Sequence, residues 1–263
     1  RAVSPFPAGA TATRVAGIGQ ALTVSAGDAH VCALVVGGGV RCWGDNDLGQ
    51  LGTTVAGSSS TPVVVGLPSG VAAVSSGWTH TCVLMGAGTV QCAGDNYSGQ
   101  LGNGTFRATG ARLVRVSGVS NAVAISAGGF HSCALLASGV LRCWGANWDG
   151  QLGNSTTNDA NTAVVVTGMT GVTAVSAGAY HTCARLSNAT LKCWGWNGEG
   201  QLGTGSTTSS KVPVLVAGIT TARNVSAGGF HTCAALANGT ARCWGSNASG
   251  QVSATAQSLS QSS

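Results

Sequence analysis

The amino-acid sequence predicts an all-β protein, a β-propeller built from five similar blades of four short strands each. A unit of about fifty residues repeats along the chain. No segment shows the apolar periodicity of a helix, and each unit contains several short apolar stretches separated by Gly-rich turns. Glycine supplies 42 of the 263 residues and 44% are hydrophobic, so the chain can form many tight turns and still bury a core.

The cysteines show the repeat most clearly. They form five pairs, each with a separation of ten residues, and successive pairs are 50 or 51 residues apart. A histidine stands two residues before the first cysteine of every pair, at His30, His80, His131, His181 and His231. A Gly-x-Asn-x-x-Gly-Gln segment follows each second cysteine. The units fall at 12–61, 62–112, 113–163, 164–213 and 214–251, between an N-terminal extension of residues 1–11 and a Ser-rich tail of residues 252–263.

Each unit contains four candidate strands. A Val-rich strand such as 172–176 comes first, the His-x-Cys strand second, and the strand with the second cysteine third. A fourth extended stretch, such as 63–65, lies between one unit's Gly-Gln loop and the next unit's first strand. Four short strands in fifty residues match one propeller blade.

The unit Val-Ser-Ala-Gly-x-x-His-Thr-Cys-Ala-Leu…Cys-Trp-Gly-x-Asn-x-x-Gly-Gln-Leu-Gly resembles the regulator-of-chromosome-condensation repeat, from about residue 12 to residue 251. The resemblance implies a propeller of that type but not one function, because one fold hosts unrelated activities. Its relatives include a guanine-nucleotide exchange factor for a small nuclear GTPase and secreted bacterial propellers that inhibit β-lactamase. The chain departs from the best-known members, which have seven blades against five units here, and it lacks a long insertion that could act as an exchange-factor wedge.

Each cysteine pair can be placed on a β-hairpin. If residues 137–139 form a three-residue loop, Cys133 faces Cys143 in a non-hydrogen-bonded pair, within reach of a disulfide. The predicted disulfides are Cys32–Cys42, Cys82–Cys92, Cys133–Cys143, Cys183–Cys193 and Cys233–Cys243. Free buried thiols and zinc sites are the alternatives, although structural zinc usually takes four ligands with closer cysteines. Paired cysteines with none left over suit an oxidising compartment, so we expect a secreted or cell-surface protein.

The repeated histidines have two interpretations. In a closed propeller they would form a ring that could bind a metal or relay protons. A histidine just before a strand can instead cap the preceding turn, and it recurs because the blade recurs. Since no motif supplies a nucleophile, a base and an orienting group, we predict a protein that is not an enzyme and has no metal or cofactor.

The strand order predicts that two sets of loops share one face. The first strand leads to the turn before the histidine, and the third leads to the Gly-Gln loop. These loops carry seven of the thirteen aromatic residues, namely Trp78, Phe130, Tyr180 and Phe230 before the histidines and Tyr97, Trp148 and Trp196 in the later loops. Aromatic loops on a rigid scaffold are typical of recognition sites. The alternative is that these rings seal the blade ends.

The leading functional hypothesis is a non-catalytic extracellular propeller that binds a protein or glycan through this aromatic face. The alternative is a structural subunit, because uncovered edges of a five-unit propeller could self-associate into a ring or filament. An exchange factor is a distant third. The 12 basic residues form no run, which disfavours nucleic acid, and no apolar stretch approaches the roughly 20 residues of a membrane span.

Overall fold

The computed structural model describes residues 14–54, 57–66, 69–107 and 111–252, and every helix or strand element in these ranges is a strand. The predicted N-terminal extension, residues 1–11, lies outside the described residues. The same is true of the predicted tail, except for Val252.

Each blade is one antiparallel sheet whose strands follow one another in chain order. Blade 1 contains β1 (Ala21–Ala26), β2 (His30–Val35), β3 (Gly39–Gly44) and β4 (Ser59–Val64). Blade 2 contains β5 (Val71–Ser76), β6 (His80–Met85), β7 (Val90–Gly94) and β8 (Val114–Arg115). Blade 3 contains β9 (Ala122–Ala127), β10 (His131–Leu136), β11 (Leu141–Gly145) and β12 (Ala160–Val165). Blade 4 contains β13 (Val172–Ala177), β14 (His181–Leu186), β15 (Leu191–Gly195) and β16 (Ser210–Leu215), and blade 5 contains β17 (Ala222–Ala227), β18 (His231–Leu236) and β19 (Ala241–Gly245).

The second and third strands of each blade form the predicted hairpin. In blade 3 the Leu136 amide donates to the Val140 carbonyl at 2.9 Å, and Gly139 adopts a φ of 80°, a left-handed conformation that glycine tolerates well. This loop places Cys133 opposite Cys143, with Cα atoms 4.0 Å apart. All five predicted pairs are disulfides, and the described residues contain no free cysteine. The zinc and free-thiol alternatives are therefore wrong.

The hydrophobic core is divided into four clusters, one between each pair of neighbouring blades. Between blades 2 and 3, for example, the Cys82–Cys92 disulfide and Leu101 pack with Ala122 and Trp144. The disulfide of each inner blade thus lies in the core that it shares with the following blade. The repeated tryptophan after the second cysteine fills the same gap from the other side, and its Nε1 in blade 3 donates to the Gln100 carbonyl at 2.9 Å.

In the described part of the chain, each of the two end blades leaves one sheet face that no other blade covers. In β1, Val24 is 68% exposed, whereas Val225, at the equivalent position of β17, is 6% exposed because it packs against blade 4. At the other end, Ala235 of blade 5 is exposed, whereas its counterpart Leu135 in blade 3 is buried. The described blades therefore form an open stack with two unlike ends.

Candidate functional site

The turns before the histidines and the Gly-Gln loops meet on one face. In blade 3 the Ala146 amide donates to the Phe130 carbonyl at 2.9 Å, and in blade 4 the Trp196 amide donates to the Tyr180 carbonyl at 2.9 Å. The same backbone bond recurs in the other three blades. One loop therefore rests on the other in every blade. We call this side of the molecule the aromatic face.

Six of the seven predicted site residues form one network of ring contacts on this face. Trp78 lies 5.2 Å from Phe130 and 5.6 Å from Tyr180, measured between ring centroids. Tyr180 stacks on Phe230 at 5.8 Å, and Trp196 meets Phe230 edge-on at 5.3 Å. We call this set the aromatic cluster; it consists of Trp78, Phe130, Trp148, Tyr180, Trp196 and Phe230.

The members of the cluster differ in exposure. Trp148 is 51% exposed and Phe230 is 40% exposed, whereas Trp78, Phe130, Tyr180 and Trp196 are half-buried by their neighbours. Tyr97, the seventh predicted residue, is 85% exposed and has no ring contact with the cluster. The rings therefore support one another and still present an apolar surface to solvent.

A cavity of about 310 Å³ lies where the inner strands of all five blades end. Its walls are mostly Gly and Ala residues from the turns before the histidines, and Asp28 and Trp78 also line it. Glycine is required here by close packing, because a Cβ on Gly128 would lie 2.3 Å from the Gly178 carbonyl oxygen of the next blade. Since Trp78 belongs to both features, the cavity opens beside the aromatic cluster.

The loop that carries Trp148 is held by Asn147. The Asn147 Oδ1 accepts a hydrogen bond from the Leu152 amide at 2.9 Å, and its Nδ2 donates to the carbonyls of Thr156 and Asn158 at 3.0 Å. The side chain of this buried asparagine thus makes hydrogen bonds to backbone groups of the loop in place of backbone–backbone bonds, as asparagine often does in turns. Trp148 is therefore held in place by an ordered loop.

The histidines join neighbouring blades. His131 Nε2 lies 2.8 Å from the Thr182 hydroxyl, which itself donates to the Gln151 carbonyl at 2.9 Å. Because that hydroxyl proton is already used, Thr182 accepts from His131, and Nε2 carries the ring proton. Burial lowers the pKa of His131 to about 3, so the ring is neutral at physiological pH.

The histidine interaction differs from the turn cap expected from the sequence. The ring reaches the following blade, and the partners are Thr81, Ser132, Thr182 and Thr232. Sequence reasoning missed these residues, although one signal was present: the residue between histidine and cysteine is Thr or Ser in every unit except the first, which has Val31. In the described part of the chain no blade precedes the first one, so Val31 has no histidine of a preceding blade to contact. Among the described residues, no group of three or more His, Cys, Asp or Glu side chains could hold a metal ion.

The molecule is a β-propeller, because its antiparallel sheets of three or four strands are stacked through separate cores around an axial cavity. The family model of the RCC1-like domain matches residues 4–262. The chain belongs to the RCC1-like family. This match confirms the fold class and the resemblance that the repeated unit predicts.

Solved structures show the same fold. Human WBSCR16 is 24% identical with a TM-score of 0.77, and the match covers 89% of this chain and 63% of that one. Prp20p from Saccharomyces cerevisiae, described with its binding to Gsp1p and histones, is 22% identical with a TM-score of 0.73 over 86% of this chain and 58% of that one. The ectodomain of the Physcomitrella patens receptor kinase CR4 is 25% identical with a TM-score of 0.53, over 86% of this chain and 50% of that one.

This chain therefore spans less than two thirds of the length of the solved relatives WBSCR16 and Prp20p. No curated protein sequence matches it. In the part of the chain that the structure describes, no helix is long and apolar enough to cross a membrane.

Proposed function

We propose that this propeller is a non-catalytic extracellular binding module whose aromatic cluster receives a protein or glycan ligand. One observation carries the proposal: aromatic side chains from four blades form a single contiguous patch that remains partly open to solvent. Exposed aromatic rings in contact with one another are costly to leave in water, and such rings supply much of the binding energy at interfaces.

The scaffold under the patch supports binding with little rearrangement. Trp148 stands on the loop held by Asn147, and Phe230 stands next to a backbone bond between its own carbonyl and the Ser246 amide, at 2.8 Å. A surface that is already ordered loses little conformational entropy on association, so more of the contact energy appears as affinity.

The state of the histidines supports a non-catalytic role. His80, His131 and His181 have pKa values lowered to about 3 by burial, and each ring is bonded to the next blade. A general base works best with a pKa near the operating pH and with access to the substrate. These rings have neither property.

The extracellular assignment rests on the disulfides. Five bridges inside one small protein are typical of oxidising compartments. The ectodomain of the CR4 receptor kinase is a structural relative on the outside of a cell.

A ligand screen with matched variants tests the proposal. Labelled protein would be applied to a glycan array and to a panel of secreted and cell-surface proteins. We expect a W148A/F230A double variant to lose the binding seen with the wild-type chain, and a Y97A variant to retain it, because Tyr97 lies outside the cluster. If W148A/F230A still binds the ligand, and circular dichroism shows that both variants are folded, the cluster is not the binding site.

Self-assembly is the second candidate, and the uncovered ends of the stack favour it. At the blade 1 end, Leu22 and Val24 are 60% and 68% exposed, and exposed apolar strand faces are typical association surfaces. Light scattering distinguishes the two candidates. A discrete ring or filament that dissociates in a V24K variant would support assembly through this face, whereas a monomer at high concentration would contradict it.

A further inference from the structure

The acidic residues of the chain are gathered on the aromatic face. All seven lie in loops on this face and none lies in a strand: Asp28, Asp45, Asp47, Asp95, Asp149, Asp159 and Glu199. The chain as a whole has a formal net charge of +5. The aromatic face is therefore acidic on a molecule that is basic overall.

The basic side chains lie mainly away from this face. One set stands near the start of the third strand of four blades, towards the opposite hairpin loops, at Arg41, Arg142, Lys192 and Arg242. Arg185 and Arg223 are also near that opposite end, and Arg185 Nε donates to the Ala222 carbonyl at 2.7 Å. Two basic residues lie closer to the aromatic face: Arg107 is in the segment that follows the Gly-Gln turn of blade 2, and Lys211, in β16, has its backbone against Gly150, next to Asp149.

Three carboxylates adjoin the aromatic cluster or its cavity. Asp149 follows Trp148 directly, Glu199 belongs to the same loop as Trp196, and Asp28 lines the cavity beside Trp78. Within the described residues, none of these three is paired with a basic side chain. Partial burial raises the pKa of Asp149, as expected for a carboxylate that has lost water without gaining a counter-charge.

The other buried polar groups near this face leave that negative charge uncompensated. His30, His80, His131 and His181 beneath it are neutral at physiological pH, because burial lowers their pKa values to about 3 or 4. Asp45 and Asp95 accept hydrogen bonds from Gln50 and Gln100, which are uncharged. A ligand that arrives at the aromatic cluster therefore meets aromatic ring surfaces and unpaired carboxylates together.

Aromatic ring faces and carboxylates attract the same partner. Guanidinium and ammonium groups gain cation–π energy over tryptophan and tyrosine rings and pair with carboxylates. The carboxylates are spread from blade 1 to blade 4, which suits several charges along an extended chain better than one small cation. Resting on the proposed binding function, we propose that the ligand is a polypeptide segment rich in Arg or Lys, bound across the aromatic cluster and the mouth of the cavity.

A synthetic peptide tests this proposal directly. The probe is a short fluorescein-labelled peptide of alternating Arg and Gly, and the control has Glu in place of Arg; binding is followed by fluorescence anisotropy. We expect the Arg peptide to bind, the Glu peptide to show no binding, and the affinity to fall when salt is raised to about 0.5 M, because exposed charges are screened. Equal binding of the two peptides would overturn the proposal.

Matched variants locate the site. We expect D149N/E199Q to weaken binding of the Arg peptide about 5-fold or more, since two charge pairs are lost, and W148A to weaken it about 5-fold to 10-fold through the lost cation–π contact. D47N is the control, because Asp47 is exposed on the blade 1 loop away from the cluster. An equal effect of D47N and D149N/E199Q would contradict the site.

The outcome is separable from that of the proposed function. Suppose the array finds a glycan or an acidic protein that binds in a Trp148-dependent way, and the Arg peptide does not bind. The aromatic cluster is then a binding site, and the preference for positive charge is wrong.

Discussion

At the scale of single residues, one position in the Gly-Gln loop shows how the blades diverge. The Gln100 Nε2 donates to Asp95 at 2.9 Å, and Gln50 does the same to Asp45. In blades 3 and 4 the position of that aspartate holds Ala146 and Trp196, and the Nε2 atoms of the corresponding glutamines, Gln151 and Gln201, are buried without a hydrogen-bond partner. The aspartate therefore stabilises the loop in two blades and is not a constant feature of the repeat.

An Asp95→Ala variant should lower the free energy of unfolding by about 1–3 kcal/mol, because it leaves the buried Gln100 amide unsatisfied. Urea denaturation followed by tryptophan fluorescence measures the change. Asp47→Ala is the matched control, since Asp47 is exposed. Equal losses in the two variants would mean that the Gln100 bond contributes nothing.

The buried histidines predict a dependence of stability on pH. In the unfolded chain they bind protons below a pKa of about 6.5, whereas in the native protein burial lowers the pKa values of His80, His131 and His181 to about 3. Between these pH values the unfolded state binds more protons than the native state, so the free energy of unfolding falls as the pH decreases from 6.5 towards 3. The stability that depends on the neutral histidines is complete above pH 6.5.

The urea midpoints of unfolding at about pH 7.5 and about pH 4.5 test this dependence. The lower pH is still above most carboxyl pKa values. We expect a lower midpoint at the acidic pH and a smaller difference in a His131→Gln variant, which keeps a donor but does not titrate in this range. The same pH difference in both proteins would show that His131 is not responsible.

Positions that recur in every unit could be predicted at the residue scale, but their partners could not. The spacing of Cys133 and Cys143 on one hairpin determines their pairing, because both belong to the same local element. The partner of His131 belongs to the next blade, so it depends on how two sheets pack. Val31 in the first unit, where the other units have Thr or Ser, is a sign of this contact in the sequence.

At the scale of elements, the hairpin with its disulfide is the constant part of the blade. Each bridge closes a short loop, and in blades 1 to 4 both sulfurs lie inside the core shared with the following blade. In blade 5, Cys233 is only half-buried. The same covalent element thus has two environments in one molecule.

In a C133A/C143A variant the free energy of unfolding should fall by about 2–3 kcal/mol, because the unfolded chain is no longer constrained by the bridge. It should fall further because a cavity is left in the core between blades 3 and 4. The C233A/C243A variant should show the smaller loss, because its site faces no further blade. Chemical denaturation of the two double variants measures both. A larger loss for the blade 5 pair would contradict the packing described for the hairpins.

The fourth strand was the least predictable element. β12 (Ala160–Val165) has six residues, whereas its counterpart β8 (Val114–Arg115) has two, and the described part of blade 5 has three strands. Outer strands are largely exposed, so no alternating apolar pattern determines their length or register. The inner strands, which pack against neighbouring blades, were predictable from their Val-rich pattern.

At the scale of the whole molecule, the open stack predicts unequal stability along the chain. Strands between two blades are covered on both faces, whereas among the described residues β1 is covered on one. Amide hydrogen exchange should therefore be slow in β10 (His131–Leu136) and β14 (His181–Leu186) and faster in β1 (Ala21–Ala26), since exchange follows local opening. Equal protection of β1 would indicate that a second copy covers it in solution.

The candidate site was predictable only in part. Chain order alone places both sets of loops on one face, and the structure has them there. Whether the rings touch depends on loop conformation, so the isolation of Tyr97 from the cluster could not be foreseen. The position of the acidic residues in loops is visible in the sequence, but its meaning required the loops to be assembled around Trp148 and Trp196.

Ligand binding across the aromatic face can be tested by carbene footprinting of the protein, with and without the partner found in the ligand screen. Binding at this face should protect residues 128–130, 147–149, 178–180 and 196–199 and leave β1 unchanged. Protection confined to β1 (Ala21–Ala26) and blade 5 would contradict it and assign the interaction to the ends of the stack.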